Sequence, residues 1–280
     1  MRFACWDWSG AAVANPPGLA LAVAELAGPP RLIDRRWSRE DALAWLRDIA
    51  ASNEPVLIGL DLSPAFPFDE AGGYFPGWPE SPRDPHALWA LVDELAARDP
   101  HLAAATPLRH PEIARHFRQH RALGDRFGTG RLRAVERRMR ELRLANPSSC
   151  FNLVGAAQVG KSSLTGMRVL HRLGGAIPVW PIDPLPPAGP VIVEVYPKLA
   201  AIAARVPGGR KLRDQAGLTT ALQELGSDNH APLDRYTDHV TDAILTAAWL
   251  RAVADRPELW SPPTLTSEIA RTEGWTFGVP

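Results

Sequence analysis

The sequence predicts a single α/β domain, with a mixed sheet carrying helices on both faces and a mostly helical, basic insertion at about 72–150. Three observations lead there. Short β-type runs separated by Pro/Gly turns fill the first sixty residues and end in the continuous apolar run Val56–Leu60. A second continuous run, Val191–Tyr196, lies far downstream and reads as another buried strand. Between and after these runs come stretches with helical periodicity. At 280 residues, 45% hydrophobic and 22% charged, the chain can bury a substantial core.

The elements follow in order. Phe3–Trp8 is the first strand, with Asp7 between Trp6 and Trp8. Asn15-Pro16-Pro17-Gly18 turns the chain, Leu19–Leu26 is the second strand, and Arg31–Arg36 is a third after Gly28-Pro29-Pro30. Ser38 caps a helix with Glu40 and Asp41 in its first turn and Leu43, Leu46, Ile49 and Ala50 on its apolar stripe. Pro55 precedes the fourth strand, which closes on Asp61. Residues 64–84 read as a long irregular loop rich in Pro, Gly and aromatics. Helices are predicted at 85–98, 111–121 and 130–144, a short strand at Cys150–Val154, and a helix at Lys161–Leu173. A proline-rich connector leads to Val191–Tyr196. Pro197 opens a short helix, and a long helix runs from about Pro232 to Ala254. The segment Thr272–Gly278 adds a final strand or loop.

Composition excludes some classes. No apolar run reaches the roughly 18 residues of a membrane span. The first residues lack the apolar core of a secretory leader. Two cysteines, Cys5 and Cys150, form no disulfide framework and no thiolate metal set. The expectation is a reduced, cytoplasmic protein with no membrane and no disulfide-linked partner. Net charge is zero but uneven: residues 101–150 hold eleven arginines against four acids. That stretch reads either as a solvated Arg-rich helix with pairs such as Glu136–Arg140, or as a face for nucleic acid, with Arg137 and Arg138 as phosphate contacts. Only Lys161, Lys198 and Lys211 are lysines, against 28 arginines. Lys161 and Lys198 therefore attract notice as positions that need a compact ammonium.

The acids carry the functional reading. A carboxylate within an apolar strand is costly unless a cation or hydrogen bonds offset it. Asp7, Asp61 and Glu194 all sit so, with Lys198 a candidate partner for Glu194. On the long helix Asp234, Asp238 and Asp242 fall at i, i+4, i+8 and repel one another. If the helix begins at Pro232, Asp234 belongs to its first turn and Asp238 and Asp242 lie beyond it. Several acids on strands and one late helix, with no Cys/His cluster, suggest carboxylates holding Mg²⁺ or Mn²⁺. Asp7, Asp61, Asp238 and Asp242 are the expected metal ligands, with Glu194 as a further ligand or water-orienting base. Such ions can clamp a phosphodiester during in-line displacement. Glu273 is a weaker sixth candidate.

The order βββαβ, insertion, strand and acid-bearing helix resembles the ribonuclease H-like fold. The motifs CWDWSG at 5–10, LIGLDLSPAF at 57–66, GAAQVGKSSLTG at 155–166, EVYPKLA at 194–200, YTDHVTDAILTAAWL at 236–250 and TEGWTFGVP at 272–280 look like those of domain-of-unknown-function family 429. The members of that family are predicted nucleases of ribonuclease H-like fold. The resemblance implies Asp7, Asp61, Glu194, Asp238 and Asp242 as active-site acids.

The stretch Gly155–Ser163 also spells a P-loop, G-x-x-x-x-G-K-S. A P-loop nucleotide site needs a strand-end Asp downstream, whereas the strand ending in Asp61 lies upstream, Glu194 sits mid-strand, and Gly166 interrupts the following helix. The acids are also left without a role. The sequence favours Gly160, Lys161 and Lys198 as contacts for a substrate phosphate in a nuclease. A nucleotide-binding protein and a non-catalytic binding module of the same fold are the alternatives.

Overall fold

The structure is a computed structural model that describes residues 1–120, 122–155 and 158–280. It opens with an antiparallel meander, β1 (Arg2–Asp7), β2 (Ala20–Ala24) and β3 (Arg31–Leu32), then α1 (Arg39–Ser52) and β4 (Val56–Leu60). The central stretch holds α2 (Pro85–Leu95), α3 (Pro111–Ala114), the hairpin β5 (Arg118–Gln119) and β6 (Ala122–Leu123), and α4 (Ala134–Glu141). Then come α5 (Val159–Leu173), β7 (Val179–Trp180), β8 (Val191–Glu194), α6 (Pro197–Ala203), α7 (Gln215–Glu224), α8 (Asp238–Val253), α9 (Pro257–Trp260) and α10 (Ser267–Thr272). The six-stranded mixed sheet has the order β3-β2-β1-β4-β8-β7. β1, β4, β8 and β7 run parallel, and β2 and β3 are antiparallel to their neighbours.

Alternation along β1 sorts the two faces. Ala4 and Trp6 enter the core shared with α1 and α5, and Phe3 and Cys5 enter the core shared with α8. Asp7 continues the second series and so points to the α8 side, away from both flanking tryptophans. The Ser38 cap forms as the sequence predicts, with a reciprocal bond from the Ser38 backbone to Asp41. Gly166 does not interrupt α5. It lets Leu62 pack onto the helix, since a Cβ there would lie 2.3 Å from Leu62 Cδ2.

Elsewhere the elements differ from expectation. α8 begins at Asp238, six residues after Pro232, because the Thr237 side chain accepts from Val240 N and caps the helix there. The strand expected at Cys150–Val154 is a single bridge between Arg118 and Asn152, and the helix expected at 111–121 stops at Ala114 to supply it. α2 packs on α5, so the central stretch shares the core of the sheet. No helix among the described residues is long and apolar enough to cross a membrane, and Cys5 and Cys150 are free and buried.

His116 is a buried group that the sequence does not flag. Both its ring nitrogens are enclosed with no hydrogen-bond partner among the described residues, against the rings of Phe75 and Phe151. Burial, reinforced by Arg131, Arg126 and Arg115, pushes its pKa down from 6.5 to about 4. A folded-state pKa below the unfolded one means that the stability is whole above pH 6.5 and is lost as pH falls toward 4. The total effect is at most roughly 3 kcal/mol, since a tenfold change in proton affinity is worth about 1.4 kcal/mol. Urea melts between pH 7 and pH 4.5 should therefore show a steeper loss for wild type than for His116→Leu, which is also the more stable of the two at the lower pH.

Candidate carboxylate site

The site lies at the carboxyl ends of the adjacent parallel strands β1 and β4, where the first turn of α8 crosses them. Asp7 ends β1 and is 4% exposed. Its Oδ1 accepts a 2.7 Å bond from Nδ1 of His239, the second residue of α8. Burial pushes Asp7 up to about 6, opposed by His239, and the bond to Asp7 pushes His239 up in turn. A close backbone approach makes room for the imidazole. A Cβ on Gly18 would fall 2.8 Å from His239 Cε1. Gly18→Ala should displace the half-exposed imidazole at little cost in thermal melts and return the His239 pKa toward 6.5 in an NMR titration.

Asp61 follows β4, fixed by its backbone N–H to Trp6 O at 3.0 Å. Burial, with Asp7, Asp242 and Glu194, pushes its carboxyl well above the ordinary value, and no hydrogen bond from the described residues relieves it. It stands between two cavities. One of about 620 Å³ is lined by Trp8, Ser9, Lys161, Ser162 and His239 among others. The other, about 360 Å³, is lined by Asn146, Glu194, Tyr196 and Lys211 among others. Asp61 and Val159 border both.

Asp242, one turn along α8 from Asp238, completes the cluster. Its Oδ2 accepts from Lys211 Nζ at 2.7 Å, and burial raises its pKa against that pairing. Asp7, Asp61 and Asp242 thus sense one another. Asp238 stands apart: it is the first residue of α8, bonded to Arg213 at 3.0 Å, and held below the ordinary value by that bond. The expectation that it lies beyond the first turn fails because the helix starts late. Asp234 precedes the helix altogether.

Glu194 is committed elsewhere. Its partner is the buried Arg133, which donates to Oε1 at 2.5 Å and Oε2 at 2.7 Å, while Thr276 Oγ1 donates to Oε1 at 2.8 Å. Lys198, a candidate partner for Glu194 and a candidate phosphate contact, is half-buried on α6 and makes no ion pair among the described residues. Glu273 is fully buried and accepts from the backbone of Phe68, Asp69 and Ala134. It fastens the C-terminal segment to the central stretch.

The P-loop spelling divides in two. Ala156 and Ala157 lie outside the described residues. Gly160 sits inside α5, where a Cβ would be 2.0 Å from Cys150 O; it packs there and does not line the larger cavity. Lys161 does line that cavity, beside Asp61 and His239, and makes no ion pair among the described residues. The arginines are largely consumed. Arg115, Arg126, Arg131, Arg133, Arg137, Arg138 and Arg140, seven of the eleven in 101–150, hold side chains or backbone carbonyls. Arg137 pairs with Asp69 and Arg138 with Pro280 O. Arg121 lies outside the described residues.

His239, Lys211 and Arg133 escape a reading of the sequence. Lys211 shares the scarcity that singles out Lys161 and Lys198, and His239 lies between two acids on the late helix, so signals for both existed. Arg133 had none.

Hard carboxylate oxygens are the donors that Mg²⁺ and Mn²⁺ prefer. One oxygen of Asp7, one of Asp242 and both of Asp61 accept no hydrogen bond from the described residues. The partners of Asp7 and Asp242 take one oxygen each, as groups that orient metal ligands do. The donor set fits such an ion in kind, but among the described residues no three His, Cys, Asp or Glu side chains stand close enough together to hold one. The chain matches no protein-family model, and no curated protein or solved structure is significantly similar to it.

Proposed function

We propose that the chain is a divalent-metal-dependent phosphodiesterase of ribonuclease H-like fold that acts on nucleic acid. The observation that carries this reading is that Asp7, Asp61 and Asp242 lie within electrostatic reach of one another at the ends of β1 and β4 and in the first two turns of α8, with Asp61 half-buried and free of any hydrogen bond from the described residues. The strand order, with a three-stranded meander followed by parallel strands, and the acid-bearing late helix support the fold.

In this reading Asp7, Asp61 and Asp242 hold Mg²⁺ or Mn²⁺. When bound, the ion supplies positive charge for the phosphate and for the transition state of its hydrolysis. His239 and Lys211 orient Asp7 and Asp242 by the bonds described. Lys161, which lines the larger cavity together with Asp61, binds a phosphate oxygen as a point charge. The buried rim, with Trp8 against Thr165 at 3.1 Å, limits water around the reacting phosphorus. Water adds to phosphorus, the ester P–O bond breaks, and the leaving oxygen takes up a proton.

Purified protein with Mn²⁺ should hydrolyse bis-p-nitrophenyl phosphate, and EDTA should stop it. Absence of Mn²⁺-dependent release of p-nitrophenol would remove the phosphodiesterase reading. The P-loop alternative gains little from Gly160, which packs against Cys150.

A further inference from the structure

We infer that the site takes an unpaired strand, one nucleotide unit on each side of Asp61, and rejects a duplex; this rests on the phosphodiesterase reading of the same site. The two cavities, about 620 Å³ and 360 Å³, meet only at residues that include Asp61 and Val159. A diester whose phosphorus lies at Asp61 has one recess open to each of its two substituents. A base can enter a recess only when it has left its stack, which costs a few kcal/mol from a duplex and much less from a single strand. The substrate class is thus a flexible, unpaired strand or strand end.

The charges agree. Each cavity holds one lysine, Lys161 in the larger and Lys211 in the smaller. Lys161 can meet a phosphate of the strand, while Lys211 stays bonded to Asp242 at 2.7 Å and adds its positive charge to the smaller recess. A duplex needs a longer open track of cations, and seven of the eleven arginines that could form one are bonded within the chain. The smaller recess also offers Asn146 and Tyr196, donors suited to a sugar or base edge.

The test is fluorescence anisotropy on the full chain in Ca²⁺ buffer, with fluorescein-labelled single-stranded tetranucleotides of DNA and of RNA and a hairpin duplex of the same sequence. The single strands should bind at least tenfold more tightly than the hairpin. The DNA and RNA arms settle which sugar is preferred. Lys161→Ala should weaken single-strand binding about tenfold and reduce the slope of log K against log salt by about 0.7, the loss of one phosphate contact. Lys161→Arg should restore the slope. Equal affinity for hairpin and single strand, or a slope unchanged in Lys161→Ala, would overturn the inference. Tight single-strand binding without Mn²⁺-dependent hydrolysis would strike the phosphodiesterase reading alone. Hydrolysis of the small diester with no preference against the hairpin would strike this inference alone.

Discussion

Asp61→Asn should abolish Mn²⁺-dependent phosphodiester hydrolysis, by about 1000-fold or more, and at the same time make the protein more stable. Both effects have one cause. The Asp61 carboxylate is half-buried near Asp7, Asp242 and Glu194 with no hydrogen bond from the described residues, and desolvation and those charges push its pKa well above the ordinary 3.8. An acid with a raised folded-state pKa works against folding when ionised. The cost is absent below pH 3.8 and fully present above the raised value, so it is felt at neutral pH. Asparagine keeps the shape and removes the charge. A gain of about 1–2 kcal/mol is the expected scale, read as a higher Tm in metal-free buffer. Mn²⁺ should reverse the order, because an ion bound only by the folded wild type adds about 2.7 kcal/mol at a hundred times its Kd. An Asp61→Asn protein that melts earlier than wild type in EDTA would show that the carboxylate has a structural partner instead. One that still hydrolyses the diester would remove Asp61 from the chemistry.

The framework of this site was legible where local rules decide it. Asp7 and Asp61 were visible because a charge inside or at the end of an apolar strand contradicts the strand's own pattern, and the β1–β4 pairing then placed them side by side. The Ser38 cap and the turn at Pro16-Pro17 were equally local. Asp238 was misread because its meaning depended on the helix start: Pro232 is a good first helical residue, but the Thr237 cap won. Glu194 was read as an active-site acid with Lys198 as a candidate partner, and the cation it meets in the fold is Arg133. Lys198 lies four residues away in sequence, while Arg133 lies 61 away and arrives by folding of the basic stretch. The arginines illustrate the same limit. Their density invites a polyanion, yet Arg126, Arg131 and Arg140 hold irregular loops within the insertion by donating to carbonyls.

The second large effect follows from that buried cation. Arg133 is 1% exposed and all five of its guanidinium hydrogens are directed at acceptors: Glu136 Oε1, both oxygens of Glu194, Ser63 Oγ and Glu273 O. These partners come from α4, β8, the loop after β4 and the C-terminal segment, so one side chain joins four parts of the chain. Burial alone would lower its pKa, but Glu194 and Glu136 hold it well above the ordinary value. Arg133→Met keeps much of the volume and leaves Glu194 and Glu136 buried without their cation. Removing one partner of such a group costs about 3–5 kcal/mol, a large fraction of the stability of a typical domain. The loss should appear as a fall in the urea midpoint with little change in slope. Arg133→Lys should recover only part of it, because an ammonium has three donors and no planar fork to match the Glu194 carboxylate. The triple variant Arg133→Met/Glu136→Gln/Glu194→Gln should be more stable than Arg133→Met, since the charges left behind, rather than the lost contacts, carry most of the cost. Asp61 lies two residues before Ser63, so Arg133→Met should also lower Mn²⁺ affinity in any protein that still folds. An Arg133→Met protein as stable as wild type would mean that the two glutamates are protonated and the cluster is held by hydrogen bonds alone.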